Sequence, residues 1–165
     1  MILNTAFPRV LLPLSAVLTA FKRFLSTFVI YAVVHVATGL PITPELLWLV
    51  PLLAGFVVFG AGLAMITAAA AVYFRDLRNF LPYMLRMWLY ASPVLYYANE
   101  VPDRYDFVLA INPLAPLLTA WSDILTAGEA PPIGTLALGM AWALVFFAGG
   151  ALFFISRERE FAVRI

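Results

Sequence analysis

A chain of 165 residues in which 64% are hydrophobic and 12% charged, with a mean hydropathy of +0.98, cannot fold as a water-soluble globule. Its 10 Lys and Arg nearly balance its 9 Asp and Glu, to a formal charge of +1, so meaning lies in where the charges fall rather than in their sum. With no cysteine, disulfides, thiolate metal sites and thiol catalysis are excluded, and a single His without clustered acids leaves little material for a metal site or an acid–base pair.

Residues 10–21 are apolar but contain Pro13 and end at Lys22 and Arg23, whose long side chains can snorkel to an interface. They read as an interfacial or tilted lead-in. A signal peptide would have a similar apolar length behind Arg9, but here the basic pair and a second long apolar run follow without a good cleavage site. The first clear span runs from Phe24 to Gly39, before Pro41 and Pro44 break the chain. Within it His35 is the lone ionisable residue at depth, and with no acid in the same span a hydrogen-bonded packing role is expected before a proton relay.

The second span extends from about Leu46 to Val72. Gly60, Ala64 and Ala68 recur every four residues on one face, either a surface for close helix approach or simply an Ala-rich stretch. After the charged segment Arg75 to Arg78, a third span is expected from Phe80 to Ala98, made irregular by Pro82 and by Arg86, which either snorkels back to the interface or faces a pore. The connection from Asn99 to Pro132 is rich in Pro and carries the acids Glu100, Asp103, Asp106, Asp123 and Glu129. Its apolar stretch, Phe107 to Leu125, is interrupted by Asn112, Pro113 and Pro116. The last span runs from Ile133 to Ile155 and ends in the charged tail from Arg157.

Arg9, Lys22, Arg23, Arg75, Arg78, Arg86, Arg157, Arg159 and Arg164 all fall in connections of one parity, and only Arg104 falls in the other. Cytoplasmic loops carry the excess of Lys and Arg, so both termini are expected in the cytoplasm. If the stretch 107–125 crossed fully, the terminal cluster would fall outside; a re-entrant hairpin of two short helices keeps the parity, and irregular backbone is tolerated where protein or a wet cavity covers it. The predicted fold is thus an all-α membrane protein with about four transmembrane helices plus an outer re-entrant helical hairpin, amino and carboxy termini cytoplasmic.

Five short texts recur in a telling order: Phe7-Pro8-Arg9 with Leu12-Pro13-Leu14, then Tyr73-Phe74-Arg75-Asp76, then Ala91-Ser92-Pro93-Val94-Leu95-Tyr96-Tyr97, then Val101-Pro102, then Asn112-Pro113-Leu114. Taken together, over nearly the whole chain, they resemble the permease subunit of type-2 ATP-binding-cassette exporters, in the branch that moves polysaccharides such as O-antigen and teichoic acid. The resemblance implies a single transmembrane permease domain over 1–165 that lacks the family's first two spans. It implies residence in the bacterial cytoplasmic membrane, a separate ATPase subunit as partner, a permease homodimer, and a lipid-linked glycan as substrate. No nucleic-acid partner and no cofactor are expected. One departure is Ser122, in Trp121-Ser122-Asp123, where relatives usually place an Arg, which argues against a grip on an anionic substrate there.

The resemblance gives the motifs roles. Tyr73, Phe74, Arg75 and Asp76 would meet the ATPase at a cytoplasmic turn; Arg75 and Asp76 could instead cap the adjoining helices. Ser92 and Pro93, with Asn112 and Pro113, would form a hinge into the gate helices at the outer mouth, with a passive helix stop as the alternative for the Ser-Pro pair. Of the aromatic residues, Tyr73, Tyr96 and Tyr97 suit the membrane interface. Tyr83, Trp88 and Tyr90 lie deep enough to line a sugar path, Tyr83 and Tyr90 sharing a face.

No Gly-x-x-x-x-Gly-Lys-Ser/Thr occurs, so this sequence carries no phosphate loop of its own, and no covalent catalysis is expected. A small-molecule or drug exporter of the same architecture is an alternative, as is a non-transporting membrane anchor or assembly protein. A membrane-embedded transferase is disfavoured, because the outer loops lack a His or a tight acidic pair.

Overall fold

The computed structural model describes residues 8–102, 104 and 106–164, with Asn99, Asp106 and 159–164 described by backbone alone. Phe7 of the opening motif and Asp103 of the acidic connection lie outside the described residues. Among the described residues the chain is helical throughout, without strands.

The lead-in and the first expected span are one continuous helix, α1, Leu11–Ala37. Pro13 sits in its first turn, where a missing N–H costs nothing. Lys22 and Arg23 do not interrupt it, because both are good helix formers and their charge constrains only the medium around them. Its end is written locally: Gly39 takes a φ of 71°, its N–H bonds to the Val36 carbonyl, and the Leu40 N–H bonds to the His35 carbonyl. That paired closure needs a left-handed residue, which Gly supplies without strain.

After a 3-10 turn at Pro44–Trp48, α2 runs Leu49–Tyr73 and is apolar on every side, as a helix buried in lipid and protein must be. It stops at Phe74, whose extended backbone (φ −117°, ψ 90°) turns the chain into α3, Leu77–Tyr90. The third expected span therefore ends well short of Ala98. At 14 residues α3 is about 21 Å long, less than a hydrocarbon core of about 30 Å. Ser92-Pro93 is the cause, since Pro93 lacks the N–H that would continue the helix and biases Ser92 away from helical backbone.

The interrupted stretch forms the two short helices anticipated for it, α4 (Asp106–Ile111) and α5 (Ala115–Ser122), joined at Asn112-Pro113 and followed by a π-helical turn, Asp123–Ala127. The chain closes with α6, Ile133–Arg164. Among the described residues three helices are long and apolar enough to cross a membrane: Leu11–Ala37, Pro44–Tyr73 and Ile133–Glu158. The third expected crossing, α3, is not among them.

Helix α2 is the hub. Its most extensive partner is α6, and α1 and α5 pack on it as well. Gly62 of α2 and Gly150 of α6 bring the two backbones together: a Cβ on Gly62 would run into the Phe146 backbone, and one on Gly150 into the Gly62 carbonyl. The close-approach seam thus lies beside the anticipated Gly60–Ala64–Ala68 face; Gly60 instead looks toward Val17 of α1. Leu49, Leu52, Leu117, Ala120, Ile124 and Leu125 form one buried cluster that seats the α5 hairpin on the first half of α2. Met65, Ala69 and Phe154 form a second, joining the last turns of α2 and α6, with Val10 against it. The hairpin and the described beginning and end of the chain therefore sit at opposite ends of the bundle.

Candidate functional site

Three stretches of chain converge on Asn112, which is 5% exposed. Its Nδ2 donates to the Ala91 carbonyl (3.0 Å) and to Ser92 Oγ (2.8 Å), while its Oδ1 accepts from Trp88 Nε1 (2.9 Å) and from the Leu114 N–H (3.0 Å). A carboxamide offers two donors and two acceptor lone pairs, so every one is used. Ser92, also buried, donates its hydroxyl to the Trp88 carbonyl (2.8 Å), capping a carbonyl left free by the helix end. The Trp88 indole meets Phe59 of α2 edge-on at 6.1 Å. Ser92 and Pro93 are thereby joined to Asn112 and Pro113 in a closed polar junction between the end of α3 and the hairpin, and Trp88 belongs to it.

The Tyr73–Asp76 turn lies at the other end of α3. Phe74, Arg75 and Asp76 are exposed, and the Asp76 carbonyl accepts the Asn79 and Phe80 N–H groups that open the helix. No side-chain cap from Asp76 is present, which weakens the capping alternative. Arg157 near the end of α6 lies over the Tyr73 ring at 5.8 Å, and Arg9 before α1 bonds to Glu158 through its backbone N–H (3.3 Å to Oε1) and its Nη1 (3.2 Å to the carbonyl). One end of the bundle thus gathers Arg9, Arg75, Arg78 and Arg157, together with the described beginning and end of the chain.

The three deep aromatics do not share an environment. Tyr83 and Tyr90 are exposed on α3, 67% and 62%, whereas the Trp88 indole is engaged in the junction. A more continuous set of rings runs along α1: Phe21, Phe24, Phe28 and Tyr31 stack successively and His35 meets Tyr31 at a tilt, with centroids 5.6 to 6.3 Å apart. Trp121 of α5 stands across this row, 6.0 Å from Phe24, 5.8 Å from Phe28 and 6.1 Å from Phe56. Spacing of three and four residues on one face was present in the sequence and would have found the row. His35 takes the packing role expected of it, buried with Tyr31 Oη at 3.1 Å from Nδ1 and the Pro41 carbonyl at 3.1 Å from Nε2.

Two cavities, of about 450 and 340 Å³, open between the 93–98 segment and the α5 hairpin, with Pro93, Tyr96, Tyr97, Ser122 and Thr126 lining both. Trp121 and Tyr31 face the larger and Asp123 the smaller. Burial, with the negative charge of Glu129 adding to it, pushes the Asp123 carboxyl above the usual carboxylate range. A third cavity of about 420 Å³ lies on the apolar side of Trp121, among Phe21, Phe24, Leu53 and Phe56. Among the described residues no cluster of His, Cys, Asp or Glu is arranged to hold a metal.

Residues 8–126 match the ABC-2 type transporter family. The chain is similar to two O-antigen export system permease proteins RfbA of Klebsiella pneumoniae, 33% identical over 128 residues and 30% over 126, each match covering 76% of this chain and 49% of the relative. It is also similar to the O-antigen export system permease protein RfbA of Myxococcus xanthus, 30% identical over 161 residues, 96% of this chain and 62% of that protein. The chain spans about half the length of the Klebsiella relatives it matches. No solved structure matches it.

Proposed function

The chain belongs to the ABC-2 type transporter family, and on that premise we propose that it is a membrane-spanning subunit of an ATP-driven exporter that moves a lipid-linked polysaccharide across the bacterial cytoplasmic membrane. The observation that carries this reading is the similarity to three O-antigen export permeases, reaching 96% of the chain in one case. The three long apolar helices and the missing phosphate loop agree with a path-forming subunit driven by a separate ATPase. A second copy completes the path, and the chain itself catalyses no covalent change.

In this reading the basic end of the bundle faces the cytoplasm. Tyr73, Phe74, Arg75 and Asp76 meet the ATPase there, as the exposure of the last three supports. Helix α3 carries the resulting motion to the junction of Ser92, Pro93, Asn112 and Pro113, which moves the hairpin at the outer mouth. Tyr83 and Tyr90 offer ring faces to the passing glycan, and Trp88 contributes from the junction behind them.

The test is Arg75→Ala in the producing cell. Export is expected to fall several-fold while the protein stays inserted and abundant, with lipid-linked glycan accumulating inside. Normal surface glycan from this variant would remove Arg75 from the coupling surface; normal surface glycan after deletion of the gene would remove the export reading itself.

A further inference from the structure

The paired outer cavities have the chemistry of a carbohydrate site of defined charge. Their volumes, about 450 and 340 Å³, fall in the range of small-ligand pockets, ~300–1,000 Å³. Rings supply flat apolar faces: Trp121, held by Phe24, Phe28 and Phe56, and Tyr31 in the larger cavity, Tyr96 and Tyr97 in both. Between them stand groups that hydrogen-bond to hydroxyls: Ser122 and Thr126 in both cavities, with Thr119 and Asp123 in the smaller. A pyranose presents just this pairing, an apolar C–H face and a polar hydroxyl rim.

Charge narrows the ligand further. The described lining residues of the two cavities include the carboxyl groups of Asp123 and Glu100 and no Lys, Arg or His. A phosphate or a uronic acid would meet carboxyl groups with no cation among the described lining residues, whereas neutral hydroxyls find hydrogen-bonding partners. The cavity wall is also fixed in place. Glu100 accepts the Tyr97 N–H through Oε2 at 3.2 Å, which closes the 97–100 turn, and Pro93 is buried beside the Asn112 junction.

We infer that this cavity binds one or two uncharged sugar residues of the exported chain, stacked on Trp121, Tyr96 and Tyr97 and hydrogen-bonded to Ser122 and Thr126, and that it rejects acidic sugars. The inference rests on the export reading for its physiological ligand, but its test reads binding and not transport.

The experiment uses the full chain in lipid nanodiscs, free of sugar-based detergent, with maltotriose and trigalacturonic acid as probes and saturation-transfer difference NMR as the readout. Maltotriose is expected to bind saturably and at least tenfold more tightly than trigalacturonic acid. Tyr97→Ala, at a half-exposed position, should weaken maltotriose about tenfold with helix content unchanged, and Trp121→Phe should retain most of the binding that Trp121→Ala loses. Ser122→Arg should invert the preference by supplying the missing cation. Absence of maltotriose binding, equal binding of the acidic probe, or indifference to both Tyr97→Ala and Ser122→Arg would overturn the site. Export in cells alongside absent binding would sink this site alone, and binding without export would sink the export reading alone.

Discussion

Asn112 holds its place because its side chain has no unused capacity, with two bonds given and two received in a position closed to water. Buried polar groups of this kind are costly when a partner goes missing, about 1–3 kcal/mol for each one left unsatisfied. Asn112→Ala strands the Trp88 indole N–H and the Ala91 carbonyl together, while Trp88→Phe leaves Asn112 Oδ1 still bonded to the Leu114 N–H. Thermal unfolding in nanodiscs should therefore show a clearly larger loss of midpoint for Asn112→Ala than for Ser92→Ala, with Trp88→Phe adding its own loss of ring fit against Phe59. Equal, small effects of all three would mean that water reaches the junction. Ser92, Pro93, Asn112 and Pro113 were legible in the sequence, because Ser-Pro and Asn-Pro advertise breaks in the backbone. Trp88 as their partner was not, since a bond across 24 residues leaves no local period.

At the scale of elements, apolar runs located the long helices and misjudged their ends. Lys22 and Arg23 read as a boundary, yet α1 continues through them, because charge sets where a helix sits in the bilayer without deciding whether it is a helix. Helix α3 is shorter than its apolar run because the backbone chemistry of Ser92-Pro93 outweighs the hydrophobicity of Val94 and Leu95. Small residues predicted close packing on α2 but not the face, since a spacing of four on one helix says nothing about where the neighbour's own small residues lie. The seam needs Gly62 and Gly150 together. Gly62→Ala must push α2 and α6 apart against backbone atoms, and overpacking of this sort costs roughly 1–3 kcal/mol. A lower unfolding midpoint is expected for Gly62→Ala and almost none for Gly60→Ala, whose added methyl would meet only Val17 at 3.8 Å; equal sensitivity at the two positions would contradict the seam.

Across the whole molecule, two poles are separated by the length of α2. One carries Arg9, Arg75, Arg78, Arg157 and the Arg9–Glu158 contact; the other carries the hairpin, the paired cavities and the His35–Pro41 closure. Helix α3 starts at the first pole and ends in the Asn112 junction, so a displacement of the Arg75–Asp76 turn has a short route of about 21 Å toward the hairpin, interrupted only at Pro82. The charge asymmetry between the poles was plain in the sequence. The cavities were not, because they arise only where the 93–98 segment, α1 and α5 meet in space. The account turns on whether this chain opens a path for glycan at the expense of ATP, and the measurement that asks this is translocation in proteoliposomes containing the chain and the proposed ATPase partner. Fluorescently tagged lipid-linked glycan should become accessible to an external glycosidase on the far side only when ATP is hydrolysed. Equal accessibility with ADP, or with an ATPase that cannot hydrolyse, would contradict it.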